Sequence, residues 1–183
     1  MRVLVAYASR HGGTRGIAER IGERIAAAGA QVDVRPARDV RDVAGYDAVI
    51  LGSALYMWHW LSDARDLAKR AAKSASGKRV WLFSSGPFGE DKVDKNGRDV
   101  LEVAGPKEID QLRGWLRPRD HTVFWGSWDA SYAPVGFMEK FTAAMPSAWK
   151  ALPAGDKREW PVIEAWADRI ARELGLAAAP VED

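Results

Sequence analysis

Short apolar runs alternate with segments of helical periodicity along most of this chain. The strand-like runs lie at residues 3–6, 31–35, 46–53, 79–84 and 121–125. The run at 31–35 alternates apolar with polar residues, as an edge strand does. The helical segments lie at residues 14–28, 62–75, 106–116, 135–145 and 162–174. This alternation predicts one doubly wound α/β domain with a five-stranded parallel sheet in the order 2-1-3-4-5.

The loop after the first strand concentrates hydroxyl and glycine residues. It reads Ser9, Arg10, His11, Gly12, Gly13, Thr14 and leads directly into the first predicted helix. The unpaired N–H groups and positive dipole of a helix N-terminus attract anions, and glycines let the backbone wrap around a phosphate. Ser9 and Thr14 can add hydroxyl donors, and Arg10 can add charge. Equally, these residues can form an ordinary strand-to-helix turn with Thr14 as the N-cap.

Several common phosphate sites do not fit this loop. The chain contains neither the P-loop pattern G-x-x-x-x-G-K-[ST] nor the dinucleotide pattern G-x-G-x-x-G. It has no cysteine, which excludes a phosphatase with a cysteine nucleophile. A response-regulator receiver domain needs acidic residues at the end of the first strand, where this chain has Ala6, Tyr7 and Ala8.

Two further loops follow central strands. Residues 53–60 contain three aromatic side chains and a methionine within five positions, which are costly to expose without a partner. That partner can be a flat apolar ring or a second protein. Residues 84–89 are small and glycine-rich, which suits either a ligand's polar edge or a plain turn. Because the carboxyl ends of parallel strands meet at one edge of the sheet, we expect these loops and residues 9–14 to form one crevice.

Composition narrows the class of protein. The 183 residues are 47% hydrophobic and 28% charged with a net charge of +2, which fits one globular domain and disfavours nucleic-acid binding. We assign residues 1–175 to that domain and 176–183 to a frayed tail. Three widely spaced histidines predict no metal site. We expect a cytoplasmic protein, since no signal peptide and no apolar run of roughly 18–20 residues is recognisable.

The sequence resembles the flavodoxin-like FMN-binding family. Residues 9–14 follow the phosphate-loop pattern [ST]-x-[TRH]-G-x-T, and residues 46–53 carry the strand Y-D-x-V-I-L-G-S. The likeness is nearest to the menaquinone-dependent protoporphyrinogen oxidase branch, through S-R-H-G-G-T-R-x-I-A at 9–18, Y-D-A-V-I-L-G-S-A-L-Y at 46–56, F-W-G-S-W at 124–128 and a helical insert over 127–150. The chain departs from that branch at Tyr56 and Trp58, where a basic residue and a glycine are expected, and in a longer polar segment at 90–105.

The resemblance implies a flavodoxin-like fold with an insert after the fifth strand, and FMN as the cofactor. Tyr56 or Trp58 would cover one face of its ring, and Phe88 or Trp128 could approach the other. The implied cofactor-binding residues are Ser9, Arg10, His11, Gly12, Gly13, Thr14, Ser53, Ala54, Leu55, Tyr56, Met57, Trp58, Ser84, Ser85, Gly86, Pro87, Phe88, Gly89 and Trp128. No catalytic residue is fixed, and His59 and Tyr132 are the candidates for handling protons.

The implied function is an FMN-dependent, quinone-linked oxidoreductase. Its partners would be a redox protein or a small apolar substrate of the quinone or tetrapyrrole type, and the apolar insert permits peripheral membrane contact and a homodimer. The main alternative is a flavodoxin-type electron carrier without its own substrate. A flavin-free interaction domain is a third reading. An NAD(P)H:quinone reductase also fits the fold, although no nicotinamide signature is present.

Overall fold

The computed structural model describes residues 1–87, 92–128, 131, 135 and 155–177. Its strands are β1 (Arg2–Ala8), β2 (Gln31–Pro36), β3 (Ala48–Tyr56), β4 (His59–Trp60), β5 (Arg79–Ser85), β6 (Asp120–Phe124), β7 (Ser127–Trp128) and β8 (Gly155–Asp156). Its helices are α1 (Gly13–Ala27), α2 (Ser62–Ala71), α3 (Val100–Val103), α4 (Ile109–Leu116) and α5 (Trp160–Glu173). A 3₁₀ turn covers Ala37–Asp39.

The five long strands form a parallel sheet in the order β2-β1-β3-β5-β6. This confirms the predicted order 2-1-3-4-5, because β5 and β6 are the fourth and fifth strands of the sheet when the short β4 is left out of the numbering. The predicted edge strand, β2, does lie at the edge. Two short ribbons are additional: β4 pairs antiparallel with β3, and β7 pairs antiparallel with β8.

Helices cover both faces of the sheet. Helices α1 and α5 pack on one face through Ile17, Ile21, Ile163 and Trp166, all buried. Helices α2 and α4 pack on the other face through side chains that include Leu67 and Leu112. Each central strand is therefore buried on both sides, which explains why its sequence is an unbroken apolar run.

Successive residues of the central strands enter opposite layers. In β5, Trp81 and Phe83 join the α1/α5 layer, whereas Val80 and Leu82 join the α2/α4 layer. The same alternation continues to the carboxyl ends of the strands. It therefore decides which residues of the following loops face α1.

Some predicted boundaries differ from the structure. Strand β3 continues to Tyr56 because residues 55 and 56 pair with β4. Helix α2 ends at Ala71, four residues before the predicted end, and turns lead to Gly77, which has a φ of 78°. Helix α4 begins at Ile109, three residues after the expected start at Pro106. Residues 136–145 of the helix predicted at 135–145 lie outside the described residues, as do residues 178–183 of the frayed tail predicted at 176–183.

The polar segment at 90–105, predicted as a loop, contains local structure. Val93 forms an antiparallel bridge with Asp99, and α3 follows directly. Asp94 accepts hydrogen bonds from the backbone N–H groups of Asn96 and Arg98 and from the Arg98 guanidinium. These bonds to Arg98 lower the pKa of Asp94 to about 2. This segment is organised by side chains that accept hydrogen bonds from backbone N–H groups. The pattern of hydrophobic residues in the sequence does not reveal such bonds.

Substitution of Gly52 tests the close packing of β3 against Phe83. A Cβ at Gly52 in β3 would overlap the ring of Phe83, which is fully buried. We expect Gly52→Ala to lower the free energy of unfolding by about 2–3 kcal/mol. The matched control is Gly114→Ala on the exposed side of α4, where a Cβ meets nothing and should stabilise by about 0.5–1 kcal/mol. Urea unfolding measures both, and equal effects would contradict the packing argument.

Candidate functional site

A pocket lies at the carboxyl ends of β1, β3 and β5. Its described lining comprises Ser9, Arg10, His11, Gly13, Thr14, Ala54, Tyr56, Ser85, Ser127 and Trp128. The three loops predicted to converge therefore each contribute to one pocket, and the segment after β6 contributes two more residues. This is the switch point between β1 and β3, where ligands bind in doubly wound sheets.

The N-terminus of α1 forms one end of the pocket. Gly12 occupies the N-cap position with a φ of 85°, in the left-handed region that glycine adopts without strain. Its N–H donates to Ser9 Oγ at 3.1 Å. No side chain caps this helix, and its first turn contains no acidic residue. The alternative reading with Thr14 as the N-cap is therefore wrong, and the positive end of the dipole stays available for an anion.

Contacts from the distant β7–β8 ribbon fix this helix start. A Cβ at Gly13 would lie 2.6 Å from Ser127 Oγ. Arg158 donates to the Gly13 carbonyl at 3.3 Å, stacks on the Trp160 ring with its Cζ 4.5 Å from the centroid, and pairs with Asp156. Neither Ser127 nor Arg158 is among the site residues predicted from the sequence. No local motif marks a contact across 145 positions of the chain.

The pleat of the strands divides the residues predicted for the second loop (53–60) and the third loop (84–89) between the two faces of the sheet. Ala54, Tyr56 and Ser85 line the pocket, on the α1 side of the sheet. The alternate residues Ser53, Leu55 and Ser84 point toward the α2/α4 layer. Ser53 Oγ accepts from Leu61 N at 2.9 Å, and Leu55 packs on the apolar cluster there. A cofactor role for these three residues would therefore involve their backbone, and it stays a prediction.

A buried hydrogen-bond chain supports the third loop from behind. Trp60 Nε1 donates to Ser84 Oγ at 2.8 Å, and Ser84 Oγ lies 2.9 Å from His121 Nε2. An indole N–H can only donate, so Ser84 Oγ accepts from Trp60, and the direction of its bond to His121 depends on which imidazole nitrogen carries the proton. Burial and the nearby Arg113 lower the pKa of His121 to about 4, which keeps the ring neutral.

The tip of the β3–β4 hairpin carries Met57 and Trp58. Their φ values of 52° and 65° lie in the left-handed region, where a residue with a Cβ costs about 1 kcal/mol. Met57 is 75% exposed and Trp58 is 50% exposed. Neither is among the residues that line the pocket, so the covering role predicted for Trp58 stays a prediction. The Trp58 carbonyl accepts from Lys107 N at 2.9 Å, which ties the tip to the start of α4.

The candidates for proton transfer have separate positions. His59 is not among the lining residues; its Nδ1 lies 2.8 Å from Glu108 Oε2, and Glu108 Oε1 accepts from Trp60 N. His59 and Glu108 thus anchor the hairpin. Tyr132, Phe88 and Gly89 lie outside the described residues.

The third loop is joined to the segment after β6 by two backbone hydrogen bonds. Gly86 N donates to the Phe124 carbonyl at 3.0 Å, and Gly126 N donates to the Pro87 carbonyl at 3.3 Å. These bonds hold residues 84–87 beside the start of the insert. The predicted contacts of Gly86 and Pro87 with a cofactor stay predictions.

Aromatic and cationic side chains form the rest of the pocket. Trp128 is buried and meets His11 edge-on with ring centroids 5.3 Å apart. The Arg10 guanidinium stacks on Tyr56, with Cζ 4.1 Å from the ring centroid. Arg10 Nη1 also donates to the Val135 carbonyl at 3.3 Å. The pocket therefore combines the polar start of α1 with the aromatic side chains of Tyr56 and Trp128.

Comparison with known families agrees with this geometry. A family model described as a flavodoxin domain matches residues 4–151. The chain belongs to the flavodoxin domain family. The resemblance inferred from the loop motifs is confirmed at that level. A comparison with curated proteins finds no match.

Solved structures share the flavodoxin fold. A flavodoxin from the domain Archaea is similar at a TM-score of 0.57 and 16% identity, over 96% of this chain and 99% of that chain. The flavodoxin of Streptococcus pneumonia TIGR4 gives a TM-score of 0.56 at 14% identity, over 94% and 99%. Rubredoxin oxygen:oxidoreductase from Desulfovibrio gigas gives 0.56 at 14% identity, over 95% of this chain and 36% of that chain. At these identities the likeness establishes the fold alone.

Two absences apply to the described part of this flavodoxin domain. Every helix there is too short or too polar to span a bilayer. Within the same residues, no three histidine or acidic side chains are grouped as metal ligands would be.

The buried chain to His121 predicts a pH effect on stability. Because the pKa of His121 falls from 6.5 when unfolded to about 4 when folded, the unfolded state takes up a proton first as pH decreases. The contribution of neutral His121 to the free energy of unfolding is fully present above pH 6.5. It decreases by about 3 kcal/mol as the pH falls to 4 and is constant at lower pH. His121→Gln removes that loss. Urea unfolding at several pH values measures it, and parallel curves for both proteins would contradict the assignment.

Proposed function

We propose that this flavodoxin domain binds FMN in the pocket and acts as a redox protein. The observation that carries the proposal is the meeting of the uncapped α1 N-terminus with two aromatic side chains, Tyr56 and Trp128. The helix N-terminus can bind a phosphate, and the aromatic side chains can stack on a flat conjugated ring. When bound, FMN supplies electron transfer at its ring, and the protein contributes position and electrostatics.

The residues at the two ends fit FMN for separate reasons. At the phosphate end, the first-turn N–H groups of α1 receive no side-chain cap, and Gly12 places no Cβ against a ligand. At the ring end, Tyr56 and Trp128 offer aromatic surface, while Ala54 and Ser85 leave room for close approach. The hydroxyl-bearing residues Ser9, Thr14, Ser85 and Ser127 also line the pocket and can supply polar contacts.

We further propose that the protein is a quinone-linked oxidoreductase of the menaquinone-dependent protoporphyrinogen oxidase type. An insert that borders the pocket favours an enzyme over a carrier. Ser127 and Trp128, the first residues of the insert, line the pocket, and the Val135 carbonyl accepts from Arg10. In each turnover the substrate would lose two hydrogens, and one quinone would be reduced to its quinol.

A second candidate is a flavodoxin-type electron carrier. The observation that favours it is the exposed hairpin tip, where Met57 and Trp58 follow directly after the pocket residue Tyr56. A carrier needs apolar surface beside its cofactor for transient docking to a redox partner. The two candidates share the FMN site and differ in whether a small substrate enters it.

FMN binding tests the shared claim. We expect purified protein to bind FMN with a perturbed visible spectrum, and to bind riboflavin at least about tenfold more weakly because riboflavin lacks the phosphate. Gly13→Ala should weaken FMN binding by about tenfold, because the new Cβ would lie 2.6 Å from Ser127 Oγ and force Ser127 to move. Gly114→Ala is the control, because a Cβ at that position meets no neighbouring atom. Absence of any flavin binding by the unmodified protein would contradict the proposal.

Turnover separates the two candidate functions. We expect the FMN-loaded protein to oxidise protoporphyrinogen with a menaquinone analogue as acceptor, measured anaerobically by porphyrin fluorescence. Trp128→Ala should lower this rate by about tenfold or more, because it removes an aromatic wall of the pocket. Bound FMN that reduces protein acceptors but turns over no tetrapyrrole or quinone would support the carrier instead.

A further inference from the structure

The position of Arg10 differs from the one that the loop motif indicates. As part of a phosphate loop, its side chain would be expected to add charge at the phosphate end. In the structure its guanidinium lies on the Tyr56 ring at 4.1 Å, and its Nη1 donates to the Val135 carbonyl at 3.3 Å. Both Arg10 and Tyr56 line the pocket. The guanidinium is thus held against the aromatic ring of Tyr56.

The place of a cation determines which redox state it stabilises. The phosphate of FMN keeps the same charge whether the ring is oxidised or reduced. The oxidised ring is neutral, whereas the fully reduced ring loses a proton near neutral pH and becomes an anion. A cation at the phosphate end therefore strengthens binding of both states equally. A cation at the ring end strengthens binding of the reduced state alone.

The neighbour of Arg10 reinforces this difference. Tyrosine stacked on a flavin presents an electron-rich face, which disfavours the reduced anion. The Arg10 guanidinium lies on the same phenol ring and polarises its π electrons through a cation–π contact, which offsets the destabilisation of the reduced anion. The other described lining residues include no aspartate or glutamate, so they set no carboxylate against the ring.

We propose that Arg10 is a ring-directed cation that stabilises reduced FMN and makes this pocket an electron acceptor. The inference rests on the proposed FMN site and specifies the direction in which that site works. A pocket that holds reduced flavin firmly takes electrons from a substrate readily, as an oxidase must. A low-potential donor would instead bind oxidised flavin more tightly than reduced flavin.

The test compares dissociation constants for oxidised and chemically reduced FMN under anaerobic conditions. We expect Arg10→Gln to weaken binding of reduced FMN about tenfold more than binding of oxidised FMN, which lowers the two-electron potential by about 30 mV. Arg10→Lys should restore most of the ratio, because it keeps the charge. Arg15→Gln is the control, since Arg15 is 60% exposed, pairs with Glu19 and does not line the pocket. The control should leave the ratio unchanged within about twofold.

Riboflavin provides an internal check. Because it has the ring without the phosphate, Arg10→Gln should change its reduced-to-oxidised ratio by the same factor as for FMN. If Arg10→Gln weakens both redox states of FMN equally, or changes neither, the ring-directed role is wrong while the FMN site stands. If the unmodified protein binds no flavin in either state, the proposed function itself fails.

Discussion

The uncapped start of α1 is the constraint on which the candidate site depends. A helix that begins without a side-chain cap leaves its first N–H groups to find partners elsewhere, usually at a cost of about 1 kcal/mol. The chain places this end at the switch point of the sheet and fixes it with Ser127 against Gly13 and with Arg158 on the Gly13 carbonyl. An incoming anion is the natural partner of those donors.

Alternation along the strands then separates function from support. At the ends of β3 and β5, Ala54, Tyr56 and Ser85 face the pocket, while Ser53 and Ser84 turn to the opposite layer. There the Trp60–Ser84–His121 chain satisfies buried polar atoms and sets the position of the third loop. The site is therefore rigid where it rests on strands, and the exposed, strained hairpin tip at Met57 and Trp58 lies beside it.

The parts of this arrangement that depend on local pattern could be predicted from the sequence. Apolar runs and helical periodicity indicated the strand order, and strand order brought the three loops together. Alternation could also have separated Ser84 from Ser85 in advance. Other features depend on packing between distant residues: the Arg158 contact, the neutral His121 and the stacking of Arg10 on Tyr56. The hairpin at Met57 and Trp58 was missed because its left-handed turn lacks the usual asparagine and glycine.

A crystal structure grown with FMN tests the central claim most directly. The account predicts the phosphate against the backbone N–H groups at the start of α1, near Gly12 and Gly13, with the ring between the ends of β3 and β5 beside Tyr56 and Trp128. It also predicts that Ser53 and Ser84 keep their internal hydrogen bonds. Flavin bound at another surface, or a phosphate held only by side chains away from α1, would contradict the account.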